Sequence, residues 1–345
     1  MTIKKIIRSR YAFFLLLLII IFYASWQWIQ AISTNYSLVF KEQYPHLSTS
    51  LIPKTQYKIP DLENTLTMDV KTHKPTNAEN MIPQGLAFSN DFLFISAYSA
   101  DKKYNSVIYV LDKHSGSHKK TIVLPDLAHA GGLAYDPISN NLWLTTETAD
   151  EKAKIAAFSV KQIKEYDFEH AKQPLAYRYE IPLKDLPKAS FLAYHESNLI
   201  VGHFKKDKEG TLVSYPLDNS GLPHQAKQNN PEETRGIDSK KEKVEIVEKI
   251  QGVSFFKNQI LFSQSYGETD SQLFFLKNDL EKDPISYKEE DFSSSIDFPP
   301  YMEQIVVEKE NLFVLFESAA SEYRDQSNVT PIDEVLVFDL TKLKK

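Results

Sequence analysis

Three glutamates, Glu147, Glu303 and Glu317, carry the side chains best suited to catalysis in this 345-residue chain. Carboxyl groups gathered over a channel can raise one another's pKa, which leaves one as acid and another as base, or can jointly hold a hard cation such as Ca²⁺. Five further residues are suited to holding a ligand: Gln84, His129, Gln251, Tyr98 and Tyr266. The amides offer donors and acceptors, the imidazole a ligand or a base near neutral pH, and the tyrosines a ring face with a polar tip. Their places in the chain are regular. Gln84, Gln251 and Glu303 stand directly ahead of short apolar runs, and His129 lies just before the glycine pair that opens another. Tyr98, Glu147, Tyr266 and Glu317 close a second set of apolar runs.

Several other chemistries are excluded. The chain has no cysteine, so it has no thiolate metal site, disulfide, cysteine nucleophile or lipid-modified cysteine. No G-x-S-x-G elbow, H-E-x-x-H helix, P-loop or EF-hand loop occurs. No metal ligand set or cofactor is assigned, and Ca²⁺ is the one ion the carboxylates suggest. A formal net charge of −6 offers no clustered basic footprint for phosphates, which argues against nucleic acid as a partner.

The elements that must position these residues form a repeat. Five segments open with a short apolar strand at 85–88, 132–135, 191–194, 252–255 and 304–307. A polar turn follows each, then a second strand at 92–98, 142–147, 199–204, 260–265 and 312–318, and a third at 106–112, 154–160, 211–217, 272–277 and 334–340. A fourth strand is expected at 119–124, 177–183, 243–250 and 285–291, but the last segment has none. A spacing of roughly 47 to 60 residues fits four-stranded propeller blades, and strands apolar on both faces fit sheets packed between sheets. The expected fold is an all-β, five-bladed propeller over residues 55–345, with six blades as the alternative. An upstream strand, at 56–59 or 66–70, is expected to complete the last blade, because a bare sheet edge is a liability. Residues 162–173 read as a short surface helix, and the polar stretch 218–243 as an excursion between strands.

At the N-terminus, Lys4, Lys5, Arg8 and Arg10 precede an uncharged apolar run. At ~1.5 Å per residue, residues 11–32 are long enough to cross a hydrocarbon layer of roughly 30 Å. Residues 1–10 read as a cytoplasmic basic tail, 11–32 as an uncleaved transmembrane signal anchor, and 33–54 as a spacer. This puts the chain in the cell membrane as a single-pass protein with its N-terminus inside and the propeller outside. The absence of a small-x-small site disfavours cleavage.

Gln84-Gly85-Leu86, the segment 106–112 and Gly131-Gly132-Leu133-Ala134-Tyr135-Asp136 resemble blade signatures of TolB-like, gluconolactonase-like and quinoprotein-like propellers. The chain is also distantly similar to the five-bladed plant-type glutaminyl cyclases, whose pattern includes a Gln-Gly-Leu opening like that at Gln84, and Met302-Glu303-Gln304 resembles a glutamate-bearing motif of that group. Pro299-Pro300-Tyr301, with Phe316-Glu317-Ser318 and Tyr323-Arg324 after it, looks like a segment of uncharacterised exported bacterial propellers. The expectation is a membrane-anchored surface module that binds a glycan, peptide or protein. The alternative is a hydrolase, lactonase or glutaminyl-cyclase-like enzyme working through carboxylates at the channel mouth.

Overall fold

The computed structural model describes residues 17–19, 21–22, 40–53, 57–223, 243–278 and 286–343. The repeat folds as expected into a five-bladed β-propeller. The first blade runs outward through Met81–Phe88, Phe92–Ser99, Val107–Asp112 and His118–Val123. The second uses Leu133–Asp136, Asn141–Glu147, Ala153–Ser159 and Tyr179–Pro182, and the third uses Phe191–His195, Asn198–His203, Gly210–Pro216 and Val244–Ile246. The fourth comprises Ile250–Phe256, Gln259–Gln264, Ser271–Lys277 and Phe292–Phe298; the fifth comprises Met302–Glu308, Asn311–Phe316 and Leu336–Asp339. The innermost strands touch in turn, and that of the fifth blade touches that of the first, which closes the ring around a central channel. Apolar residues on both faces of the blades form the core between neighbouring sheets, so burial is continuous along strands such as Met81–Phe88 and Asn311–Phe316.

The fifth blade is completed from upstream by the earlier of the two expected segments. Ile52 and Ile59 donate backbone N–H bonds to Val337 and Asp333, while Val335 and Asp339 donate to Tyr57 and Ser50. The later segment goes elsewhere: Thr65–Met68 pairs with Pro75–Ala78 as a separate hairpin. Residues 40–52, expected as spacer, are packed onto the last blade, so the folded unit begins upstream of residue 55. Phe40, Tyr44 and Leu47 are buried with Phe298, Phe316 and Phe338. The fourth blade also differs from expectation: its outer strand is Phe292–Phe298 rather than 285–291. Its Ser293-Ser294-Ser295 run hid the strand, because serine is a turn residue, yet only alternate side chains there need to be buried. Ser286–Tyr287 instead extends the third blade in parallel with Val244–Ile246. The expected surface helix is two short helices, Val160–Glu165 and Phe168–Ala171, the first opened by a Ser159/Gln162 capping box.

Most of the expected membrane segment lies outside the described residues, and among those described no helix is long and apolar enough to cross a membrane. Most of the excursion 218–243 likewise lies outside them.

Candidate active site at the first mouth of the channel

The channel is not open along its length. Gln304, 1% exposed, reaches across the axis from the fifth blade. Its side-chain oxygen accepts from Leu86 N at 2.9 Å and Leu133 N at 2.8 Å, and its amide nitrogen donates to Leu133 O at 2.7 Å and Leu192 O at 3.0 Å. One side chain therefore ties the first three blades to the fifth and divides the channel into two mouths. Close approach of the backbones is what permits this. A Cβ on Gly132 would lie 2.3 Å from Leu192 N, and one on Gly131 would lie 2.3 Å from Ser190 O.

The first mouth opens where the innermost strands begin and holds a cavity of about 540 Å³. Glu147, Glu303, Glu317, Gln84, His129, Gln251, Tyr98 and Tyr266 all line it. Irregular backbone aims several of them. The pairing of the innermost strands slips between Pro83 and Leu86, between Ile250 and Gly252, and between Met302 and Ile305. The slips fall at Gln84, Gln251 and Glu303-Gln304, and a bulge of this kind re-aims side chains that a regular pleat would send into the sheet faces. In the fifth blade it lets Glu303 face the mouth while Gln304 crosses the axis. Tyr301 (φ 66°) and Ala130 (φ 50°) sit in the left-handed region beside the site, a conformation that costs of order 1 kcal/mol or more for a side-chain-bearing residue. Hydroxyls on the second strands brace the same region: Ser96 accepts from Gly85 N and donates to Ala130 O, Thr145 accepts from Gly132 N, and Ser263 donates to Glu303 O.

The three glutamates separate into a pair and an outlier. Glu303 (2% exposed) and Glu317 (9% exposed) are hydrogen-bonded to each other. Burial, followed by the neighbouring Glu317 charge, pushes Glu303 well above the ordinary carboxyl range. Burial also pushes Glu317 up to about 8, opposed by the hydrogen bonds it receives from Gln84 and Glu303. Both carboxyls therefore hold their protons at neutral pH, and Glu317 is the member that ionises first, as pH rises through about 8. Glu147 is at the rim, 48% exposed at its side chain, and pairs with Lys188 at 2.8 Å.

Gln84 links the pair to the second blade. Its amide nitrogen donates to Glu317 Oε2 at 2.7 Å and to Pro83 O at 3.1 Å, and its oxygen faces His129 Nε2 at 2.8 Å. His129 is solvent-accessible, and its ring stacks on Tyr98 at 4.0 Å. The surrounding protein holds its imidazole below the ordinary range, so it is neutral at neutral pH. Tyr98 also bonds to Tyr323, which stacks on Tyr301 at 4.5 Å. Tyr266, 46% exposed, lies beside Phe204 with Lys206 4.5 Å above its ring. Gln251 lines the wall between them.

Sequence reasoning missed Tyr323, Lys188 and the plug Gln304. Tyr323 carries a faint signal, because it follows the end of a second strand as Glu317 does. Gln304 carries none, because it reads as the first residue of an apolar strand. Among the described residues no cluster of three or more acidic or histidine side chains is arranged to hold a metal ion, and the Ca²⁺ expectation gains no ligand set.

No family model matches the chain, and no curated protein matches its sequence. Among solved structures it is similar to the GH43_1 enzyme from Xanthomonas citri complexed with xylose, at 10% identity over 85% of this chain and 91% of that one, with a TM-score of 0.45. It is also similar to a putative oxidoreductase (glucose dehydrogenase) from Thermus thermophilus, at 10% identity over 79% and 98% of the two chains, TM-score 0.39. BamB from Moraxella catarrhalis is 12% identical over 81% and 68%, TM-score 0.33. These likenesses are too distant to carry any statement about the site.

Proposed function

We propose that the protein is an enzyme whose first mouth performs acid–base chemistry on a carbonyl substrate, as a hydrolase, a lactonase or a glutaminyl-cyclase-like enzyme. The observation that carries this reading is the buried Glu303–Glu317 pair at the floor of a ligand-sized cavity. An ionised Glu317 takes a proton from an attacking nucleophile while protonated Glu303 gives one to the carbonyl oxygen or leaving group. Proton transfer between the two carboxyls then restores the starting state. Polar and aromatic walls at Gln84, Gln251, Tyr98 and Tyr301 suit a substrate with both amide-like and apolar parts. The apolar run at 11–32 supports a chain anchored in the cell membrane with the mouth outside, acting on a surface peptide or glycan.

A second reading, a binding module without catalysis, is favoured by the exposed Tyr266 with Lys206 over it at the rim. Full-length protein in detergent, assayed against lactones, esters and peptides with N-terminal glutamine, separates the two. Turnover of one class that falls by about 100-fold or more in Glu317→Gln supports the enzyme. Absence of turnover across the panel, with retained binding of a glycan or peptide, supports the module and overturns the enzyme.

A further inference from the structure

The acid pair is chemically symmetric, two glutamates hydrogen-bonded to each other, yet its surroundings are not. Gln84 donates to Pro83 O, a group that only accepts, and to Glu317 Oε2. Both bonds come from the amide nitrogen, so the amide oxygen must face His129, and His129 Nε2 must be the donor. His129 is therefore the Nε2–H tautomer, with no protein partner for Nδ1 among the described residues. Were the Gln84 amide to flip, its oxygen would face the acceptors Pro83 O and Glu317 Oε2, and both of those bonds would be lost.

We propose that His129 is a positioning residue for the acid pair: by donating to the Gln84 oxygen it holds in place the amide that Pro83 O orients, directs a hydrogen bond to Glu317 alone, and so makes Glu317 the base and Glu303 the acid. A carboxyl that receives such a bond is easier to ionise than one that does not. Among the described residues nothing equivalent reaches the Glu303 side chain, whose hydrogen-bond partner is Glu317 itself. Other charged or titratable groups face His129 without replacing this link. Glu147 and Lys102 act on it with opposite signs, and Tyr98 covers a ring face. Tyr323, bonded to Tyr98, is close enough to feel the charge of both glutamates. Lys188 is engaged by Glu147 at the rim.

This inference rests on the acid–base reading of the mouth, but its test needs no substrate. The ionisation of the pair is followed in full-length protein by difference infrared spectroscopy of the carboxyl bands, with Glu317→Gln as the reference. His129→Phe keeps a ring for Tyr98 to stack on and removes the donor; it should move the first ionisation upward by about one pH unit. His129→Gln, whose amide nitrogen takes the place of Nε2, should return it towards the wild-type value. Gln84→Met deletes the bond to Glu317 and should shift the midpoint at least as far as His129→Phe, and the double variant no further than Gln84→Met alone. An unchanged midpoint in His129→Phe, no recovery in His129→Gln, or additive shifts in the double variant would each overturn the proposal. Failure of the enzyme reading is a separate result, since it appears as absence of turnover across the substrate panel.

Discussion

Gln84 and Glu317 are 233 residues apart in sequence and 2.7 Å apart at the mouth, where the amide of the first blade donates to a carboxyl of the fifth. Ring closure creates this contact, and most of the expected behaviour of the protein follows from what stands on either side of it.

Stability should fall as pH rises. The carboxyls of Glu303 and Glu317 ionise less readily in the folded chain than in the unfolded one, so their contribution is complete below the unfolded value near 4.5 and is lost as pH rises through about 8. Thermal melts at pH 5 and pH 9 should differ by several degrees, and Glu317→Gln should shrink that difference. Equal pH dependence in wild type and variant would refute the raised ionisation of the pair.

Replacing the plug should cost more than its size implies. Gln304→Leu leaves Leu86 N, Leu133 N, Leu133 O and Leu192 O without their side-chain partner. Each buried group left unsatisfied costs about 1–3 kcal/mol, so urea titration should show a loss of at least ~3 kcal/mol.

Gly132→Ala should be worse still. Its new methyl would meet backbone rather than a movable side chain, and the innermost strands of the second and third blades would have to part. Loss of soluble folded protein, or a melting point lowered by well over 5 °C, is the expected outcome of expression and calorimetry.

The N-terminal segment should act as part of the last blade. Phe40→Ala and Leu47→Ala each remove a fully buried side chain and should cost about 2–5 kcal/mol in chemical unfolding. If residues 40–52 were only a spacer, both variants would melt like the wild type.

Glu147→Gln should do almost nothing to stability. Its pairing with Lys188 is exposed on both sides, and such pairs contribute at most about 1 kcal/mol. The titration of the Glu303–Glu317 pair should be unmoved in the same variant, as measured by the infrared difference experiment.

What the sequence determined by itself is local and periodic. Apolar runs such as 92–95 and 312–315, separated by turn residues and recurring at one spacing, specify strands buried on both faces. That is enough to imply blades, and the place of Gln84, Gln251 and Glu303 ahead of the first apolar run of each repeat is enough to direct them to one mouth. What the tertiary structure decided depends on ring closure and on register. Periodicity could not choose between 56–59 and 66–70 for the closing strand, because either can present a free edge and only the geometry of the last blade selects one. Nor could it see that a slipped pairing turns Gln304 across the axis, or that Glu317 meets Glu303 while Glu147 meets Lys188. Those contacts join residues from different blades or from neighbouring strands of one whose register has slipped, and no pattern along a single strand records them.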